Sequence, residues 1–384
     1  MIEHGFGLLA GFWNYVIVFL VILTVVVFVH EMGHFLVARW NGVRVEVFSV
    51  GFGRELFGYT SRAGTRWRVS LLPLGGYVKM FGEGDAIQSD DGTERPLTPQ
   101  ERAVSFRHKR VGQRAAIVAA GPVANFLFGI AVLAAMFMAV GQPMIPPVVG
   151  LVQPGSAAAE AGLREGDRIL SINGIEVERF QDIQHVVRLR IGEPLVMEVA
   201  RGGEARELKA VPRITELEDA FGNVQRLPVL GIGADVENTE IVRHGPVTAT
   251  WNAVKETGVI VSSTFTALGQ MVSGVRDAEE IGGPLRIAKG AGQAAQMGLI
   301  SVVVYTVLLS INLGLINLFP IPLLDGGHLA FYAVEAVRGR PLGERAQEYG
   351  FRIGLFLVFA LMIFATRNDL IDLKVWDLFK GLFS

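Results

Sequence analysis

Residues 12–38 read FWNYVIVFLVILTVVVFVHEMGHFLVA. From Phe12 to Val29 only Asn14 and Thr24 are polar, and the apolar character resumes from Phe35 to Ala38. An apolar run of about 18 residues or more is read as a bilayer-spanning helix, because a helix satisfies its own backbone in hydrocarbon. A signal peptide is the plain alternative. No Lys or Arg precedes the run and no small-residue cleavage site follows it, so a membrane helix is expected. This stretch also holds His30-Glu31-Met32-Gly33-His34. Positions i and i+4 share one helix face. His30 and His34 can therefore reach one tetrahedral Zn2+, with Glu31 beside them to act on water. The five-letter pattern also arises by chance, and a His–Glu hydrogen-bonded pair at a helix end is the competing reading.

The rest of the chain is mixed in character. Of its 384 residues, 51% are hydrophobic and 19% charged, with mean hydropathy +0.41. That is too apolar for soluble globules alone and too charged for membrane helices alone. The net charge of −2 sets aside nucleic-acid binding. With no cysteine, any metal must be held by His, Asp or Glu.

Three more apolar runs follow: Ala115–Val140, Leu299–Leu324 and Ile353–Ala365. The last is short and needs flanking residues or a thinned bilayer to span. Residues 39–114 carry thirteen Lys/Arg against eight Asp/Glu, and Arg338, Arg340, Arg345 and Arg352 follow the third run. By the positive-inside rule both segments face the cytoplasm, which leaves both termini outside. Residues 43–81 read as a strand-and-turn segment attached to the first helix. Val43, Val45 and Val47 alternate, and Gly51-Phe52-Gly53 and Gly75-Gly76 punctuate. Residues 148–212 mix strand-like Val148–Val152 and Leu195–Ala200 with helix-like Ala157–Ala161 and Gln181–Leu189, as in a small α+β domain. Pro246–Val272 has helical spacing and is expected to lie on other protein or on the membrane surface.

Catalytic zinc takes three protein ligands, so one is still owed. Asp325 stands in Pro320-Ile321-Pro322-Leu323-Leu324-Asp325-Gly326-Gly327-His328, where two prolines break an apolar run. Irregular backbone at membrane depth is tolerated only inside protein or beside a cavity. Asp325 as third ligand accounts for this, and so does an Asp-Gly turn ending a helix at the membrane surface.

Taken in order, HEMGH, Gly51-Phe52-Gly53, Gly121-Pro122-Val123-Ala124-Asn125 and Asn317–Gly327 resemble the site-2 protease family over nearly the whole chain. These are intramembrane zinc metalloproteases, here in the bacterial, PDZ-containing form. The resemblance implies His30, His34 and Asp325 as ligands of Zn2+ and Glu31 as catalytic base. It implies that Asn312 and Asn317 position substrate, and that the hairpin at Gly51, Phe52 and Gly53 pairs with extended substrate. Residues 153–174 are similar to a PDZ domain, whose groove is placed near Val148, Val149, Gly150, Leu151 and Val152, for binding a chain end or for excluding large substrates.

The implied fold is a polytopic α-helical membrane protein of four transmembrane helices, with a membrane-associated β-hairpin segment and an inserted α+β PDZ domain. Its parts are a first helix with HExxH (1–40), a cytoplasmic-side hairpin and loop (41–111) and a second helix (112–140). A PDZ domain (148–212), linker and amphipathic helices (213–298), a third segment with LDG (299–328), a fourth helix (350–368) and a C-terminal tail (369–384) complete it. The implied activity is intramembrane proteolysis of single-span membrane proteins after first-site cleavage, with anti-sigma factors or remnant signal peptides as typical substrates. The implied setting is the lipid bilayer of a bacterial inner membrane, with the PDZ region extracytoplasmic and no nucleic-acid partner.

Overall fold

The computed structural model describes residues 2–82, 97–190, 192–218, 224–235, 238–273 and 282–372. Residues 1, 83–96, 191, 219–223, 236–237 and 274–281, and 373–384 of the segment expected as a C-terminal tail, lie outside the described residues. The chain divides into two compact units, Met1–Val132 with Ile281–Ser384, and Leu133–Glu280.

The first unit opens with α1 (Ile2–Trp40), one helix that runs through HEMGH. Then come β1 (Val45–Thr60), β2 (Arg66–Met80), a short α2 (Pro99–Val104) and α3 (Val111–Ala139), which continues into the second unit. The hairpin is anchored, not free. Val45, Phe48, Val78 and Met80 are buried with Ala38 of α1, Ile117 and Val118 of α3, and Phe106. Phe48 stacks on Trp67 at 4.5 Å between centroids, and Phe35 meets the same indole edge-on at 5.0 Å. The expected alternation holds at Val43 and Val45, then slips at Val47, so that Phe48 is buried instead. The slip has a structural reason: Val47–Val50 are paired twice, with Arg66–Val69 and with Gly76–Lys79.

In the second unit, β3 (Gln142–Met144) and β4 (Val149–Val152) precede α4 (Ala157–Glu160), β5 (Arg168–Ile172), β6 (Ile175–Glu176) and α5 (Phe180–Leu189). After these come β7 (Leu195–Arg201), β8 (Glu204–Ala210), β9 (Arg213–Glu218), β10 (Val224–Val229), β11 (Ile232–Ala234), β12 (Glu240–Val242) and α6 (Pro246–Val272). Strands β6-β5-β7-β8 form one sheet, and β4 pairs with β11. Ile169, Ile172, Ile183, Leu195, Met197 and Val199 fill the core together with Leu230. The small domain thus closes only beyond residue 212: Leu230 and β11 complete it, within residues 213–244, which read as linker and strand. Helix α6 buries Ala249, Ala253 and Thr257 and leaves Val247, Trp251 and Phe265 exposed.

A buried carboxylate of this domain, Asp167, is paired with the half-buried Arg201. Arg201 donates from two nitrogens to the Asp167 carboxylate, each at 2.7 Å, and the Arg164 amide donates to it at 2.8 Å. Burial alone pushes the Asp167 carboxyl up, but the Arg201 and Arg164 hydrogen bonds outweigh it and hold its pKa below the usual value. A depressed carboxylate contributes stability above its unfolded pKa of about 4, and the contribution is lost as pH falls through the folded value. Amide exchange across β5 is therefore expected to be faster in Asp167→Asn than in wild type at pH 7, with the gap closing below about pH 4. An equal gap at both pH values would contradict this account.

The first unit resumes with α7 (Pro284–Gln296), α8 (Leu299–Asn317), α9 (Asp325–Arg338) and α10 (Glu344–Asp372). Helices over Tyr15–Trp40, Val111–Ala139, Leu299–Asn317 and Arg345–Ile371 are each long and apolar enough to cross a membrane. The third span stops at Asn317, short of the 299–328 expected. Pro320 and Pro322 offer no N–H to continue the ladder, and a separate helix begins at Asp325. The fourth of these helices is longer than its 13-residue apolar stretch because helix continues through polar residues at both ends, which makes it long enough to cross a membrane. Asp369 near its end is buried and accepts from the Gly283, Leu285 and Arg286 amides at 2.8, 3.0 and 3.1 Å, capping α7.

Candidate metal centre

Three elements meet at the HEMGH turn of α1. A Cβ placed on Gly33 would collide with the Ala120 carbonyl, and one on Gly121 would collide with the His34 ring and come within 2.8 Å of His30 Nε2. These two glycines let α1 and α3 approach closely, as small residues do between membrane helices. The Gly121 side is the space into which both imidazoles project. Pro122 cannot donate to the carbonyl four residues earlier and pushes that turn of α3 open. One residue before that carbonyl, Ile117 O accepts from His34 Nδ1 at 2.9 Å. A carbonyl can only accept, so His34 carries its proton on Nδ1 and keeps a lone pair on Nε2.

Asp325 enters from α9. Its approach depends on a tight turn over 318–324, in which Leu323 takes φ of +122°, an uncommon value for a branched residue. Gly326 and Gly327 lie against the carbonyls of Leu318, Phe319 and Ile321, where a side chain would clash. The turn brings Asp325 Oδ2 to 3.1 Å from His30 Nε2 and 3.5 Å from His34 Nε2, while the two Nε2 atoms are 3.1 Å apart.

These donors fit zinc. Oδ2 is buried and makes no hydrogen bond despite its two close neighbours, and the three donor atoms converge within 4.8 Å of one another. Zinc–ligand distances of about 2.0–2.1 Å in a tetrahedron put ligand atoms about 3.3–3.4 Å apart, close to the separations found. His30, His34 and Asp325 are the one such group among the described residues. Two imidazoles and a carboxylate leave a fourth position open, the arrangement of a catalytic site.

Glu31 lies half-buried on the same turn. A Cβ on Gly76 would come within 3.0 Å of Glu31 Cγ and Val27 Cγ1, so β2 of the hairpin runs directly beside the candidate base. Gly76 pairs with Val50, next to Gly51, whose φ of +89° suits glycine. The Phe52 ring lies against Gly75 and stacks on Tyr77 at 6.1 Å. Asn312 and Asn317 lie on α8, which leads through the turn to Asp325. Ser310 fixes that helix by donating to the Asn125 carbonyl at 3.1 Å.

Residues 148–152, assigned to the groove, lie beside β11 on one side, and among the described residues Val148 and Val149 alone pair on the other, with residues 166–168. Val152, Leu151 and Val149 pair with β11, and Val149 also exchanges hydrogen bonds with Asp167 and Gly166. The outer edge of β11 has no strand partner among the described residues.

Sequence reading missed the supports of the two histidines: the Ile117 carbonyl, the space at Gly121, and Asn125, which is fully buried beside His30. A signal was present at Asn125, a polar residue inside an apolar span.

Comparison with known proteins agrees with this geometry. The profile described as Peptidase family M50 matches residues 18–361. A candidate zinc metalloprotease of Agrobacterium fabrum is 45% identical over 370 residues, covering 96% of this chain and 97% of that protein. The regulator of sigma-E protease RseP of Salmonella typhimurium is 33% identical, covering 94% and 99%. Among solved structures, the PDZ domain of an SdrC-like protein from Listeria monocytogenes matches 24% of this chain and 90% of its own, at 20% identity and a TM-score of 0.20.

Proposed function

The chain belongs to peptidase family M50 and is a zinc metalloprotease, and from that premise we propose that it cuts peptide bonds inside the membrane-spanning segments of other proteins. The observation that carries this reading is the position of the metal centre. Two of its ligands lie within the helix Tyr15–Trp40, a candidate span, and the third follows the span Leu299–Asn317.

Zinc, when bound, supplies Lewis acidity that polarises the scissile carbonyl and acidifies a water molecule. The chain's own residues supply the rest. Glu31 takes the proton from the attacking water and returns it to the leaving amine. His30, His34 and Asp325 hold the charge in place. A membrane helix has its carbonyls satisfied internally and must unwind before it can be attacked. The hairpin beside Glu31 offers backbone partners to the unwound strand, with Gly51, Phe52 and Gly53 at its bend, and Asn312 and Asn317 on α8 position that segment.

The natural substrates are single-span proteins already trimmed outside the membrane, of the anti-sigma factor or remnant signal peptide class. The protein sits in a bacterial inner membrane with both termini and the PDZ-like domain outside. That domain admits only trimmed substrates, by binding a chain end or by size. The test is mass spectrometry of the products when a single-span substrate is incubated with the enzyme in proteoliposomes. Cleavage within the apolar segment is expected, and cleavage confined to the flanking polar residues would defeat the proposal.

A further inference from the structure

Outside the three ligands and Glu31, Asn125 is a fully buried polar side chain beside the metal centre. It lies on α3, and its amide group is 3.3 Å from His30 Nδ1. We propose that Asn125 is the positioning residue that sets the tautomer of His30, accepting from Nδ1–H through its side-chain oxygen so that Nε2 is free for the metal.

The argument is one of lone pairs, and it rests on the zinc reading of the site. A neutral imidazole has one N–H and one lone pair. His30 Nε2 is the atom that faces His34 Nε2 and Asp325 Oδ2, so its proton must sit on Nδ1. Nδ1–H, buried in an apolar helix pair, needs an acceptor. Among the described residues, Asn125 is the side chain within hydrogen-bond distance of that nitrogen. Its amide has two ends of nearly equal shape, nitrogen and oxygen, exchanged by a half turn about the last side-chain bond. With the nitrogen end towards His30, the amide N–H and Nδ1–H both donate and cannot satisfy each other. With the oxygen end towards His30, Nδ1–H and Oδ1 satisfy each other. The two histidines are then held alike from one helix: His34 Nδ1 by the Ile117 carbonyl, His30 Nδ1 by the Asn125 amide oxygen. Ser310, donating to the Asn125 main-chain carbonyl, fixes the place from which the amide reaches.

Such outer partners of metal ligands commonly change metal affinity by about 10–100-fold. The test measures zinc affinity of the full-length protein in detergent by chelator competition, with thermal unfolding of the metal-free form alongside. Asn125→Leu keeps the size and removes the acceptor, and should weaken zinc binding about 10–100-fold. Asn125→Asp keeps an acceptor and removes the donor, and should bind zinc within a few-fold of wild type. A role in packing alone predicts the reverse order, because a buried charge disrupts more than an apolar isostere. The proposal is overturned if Asn125→Leu binds zinc like wild type, or if Asn125→Asp loses zinc as Asn125→Leu does. Should Asn125→Leu fail to fold, Asn125→Asp decides alone. Wild-type protein that holds no zinc would instead defeat the metal reading itself.

Discussion

Glu31→Gln is expected to reduce cleavage of a single-span substrate by about 10²–10⁴-fold while leaving zinc content unchanged. Glutamine matches glutamate in size and retains hydrogen bonding, but it cannot accept the water's proton. Glu31 is not one of the three residues whose donor atoms converge, so the metal should stay. The side chain lies between the ligand turn of α1 and Gly76 of the hairpin, which is where a base shared by water and an extended substrate must stand. The measurement pairs a turnover assay in proteoliposomes with elemental analysis of the same preparation. Full turnover with zinc present would show that some other group moves the proton. Loss of both turnover and zinc would show that Glu31 holds the site together structurally. Only loss of turnover alone fits a catalytic base.

Much of this was legible in the chain because two periodicities coincide at HEMGH. The apolar run marks a membrane helix, and the i, i+4 histidines make one face of it a donor pair. Asp325 was legible as an oddity, a carboxylate after two prolines in an apolar run. What the sequence left open is long-range. The double pairing of Val47–Val50 depends on residues up to 32 positions away, and local alternation cannot announce it. Strand β11 joins β4 across some eighty residues, so the domain reads as ending at residue 212 although a strand follows it. Helix α9 was hidden because Asp325-Gly326-Gly327 reads as a turn. Its glycines are required by contact with the preceding loop, and helical spacing resumes only from His328. Asn125 stood out as polar, but its task is visible only once α3 is set against α1.

The placement of Asp325 also makes its removal decisive for the metal. Asp325→Ala is expected to lower zinc affinity by more than the roughly 100-fold that loss of an outer partner causes, because a ligand itself is gone. His30 and His34 alone give two donors, one fewer than catalytic zinc sites use. The fold should survive. Alanine is a good helix former, the helix start at residue 325 is set by the turn before it, and the half-buried Arg114–Glu335 pair at 2.5 Å still ties α9 to α3. The loss should therefore appear in zinc analysis and not in helix content by circular dichroism. This separates two readings of the Asp-Gly sequence. If Asp325 merely ended a helix at the membrane surface, alanine would leave zinc in place. If it is the third ligand, zinc goes and cleavage goes with it. Asp325→Asn refines the result. It retains a weaker neutral oxygen donor in the same position, so it should bind zinc less tightly than wild type but more tightly than Asp325→Ala. Equal zinc affinity in wild type and Asp325→Ala would move the third ligand elsewhere and undo the assignment of the centre.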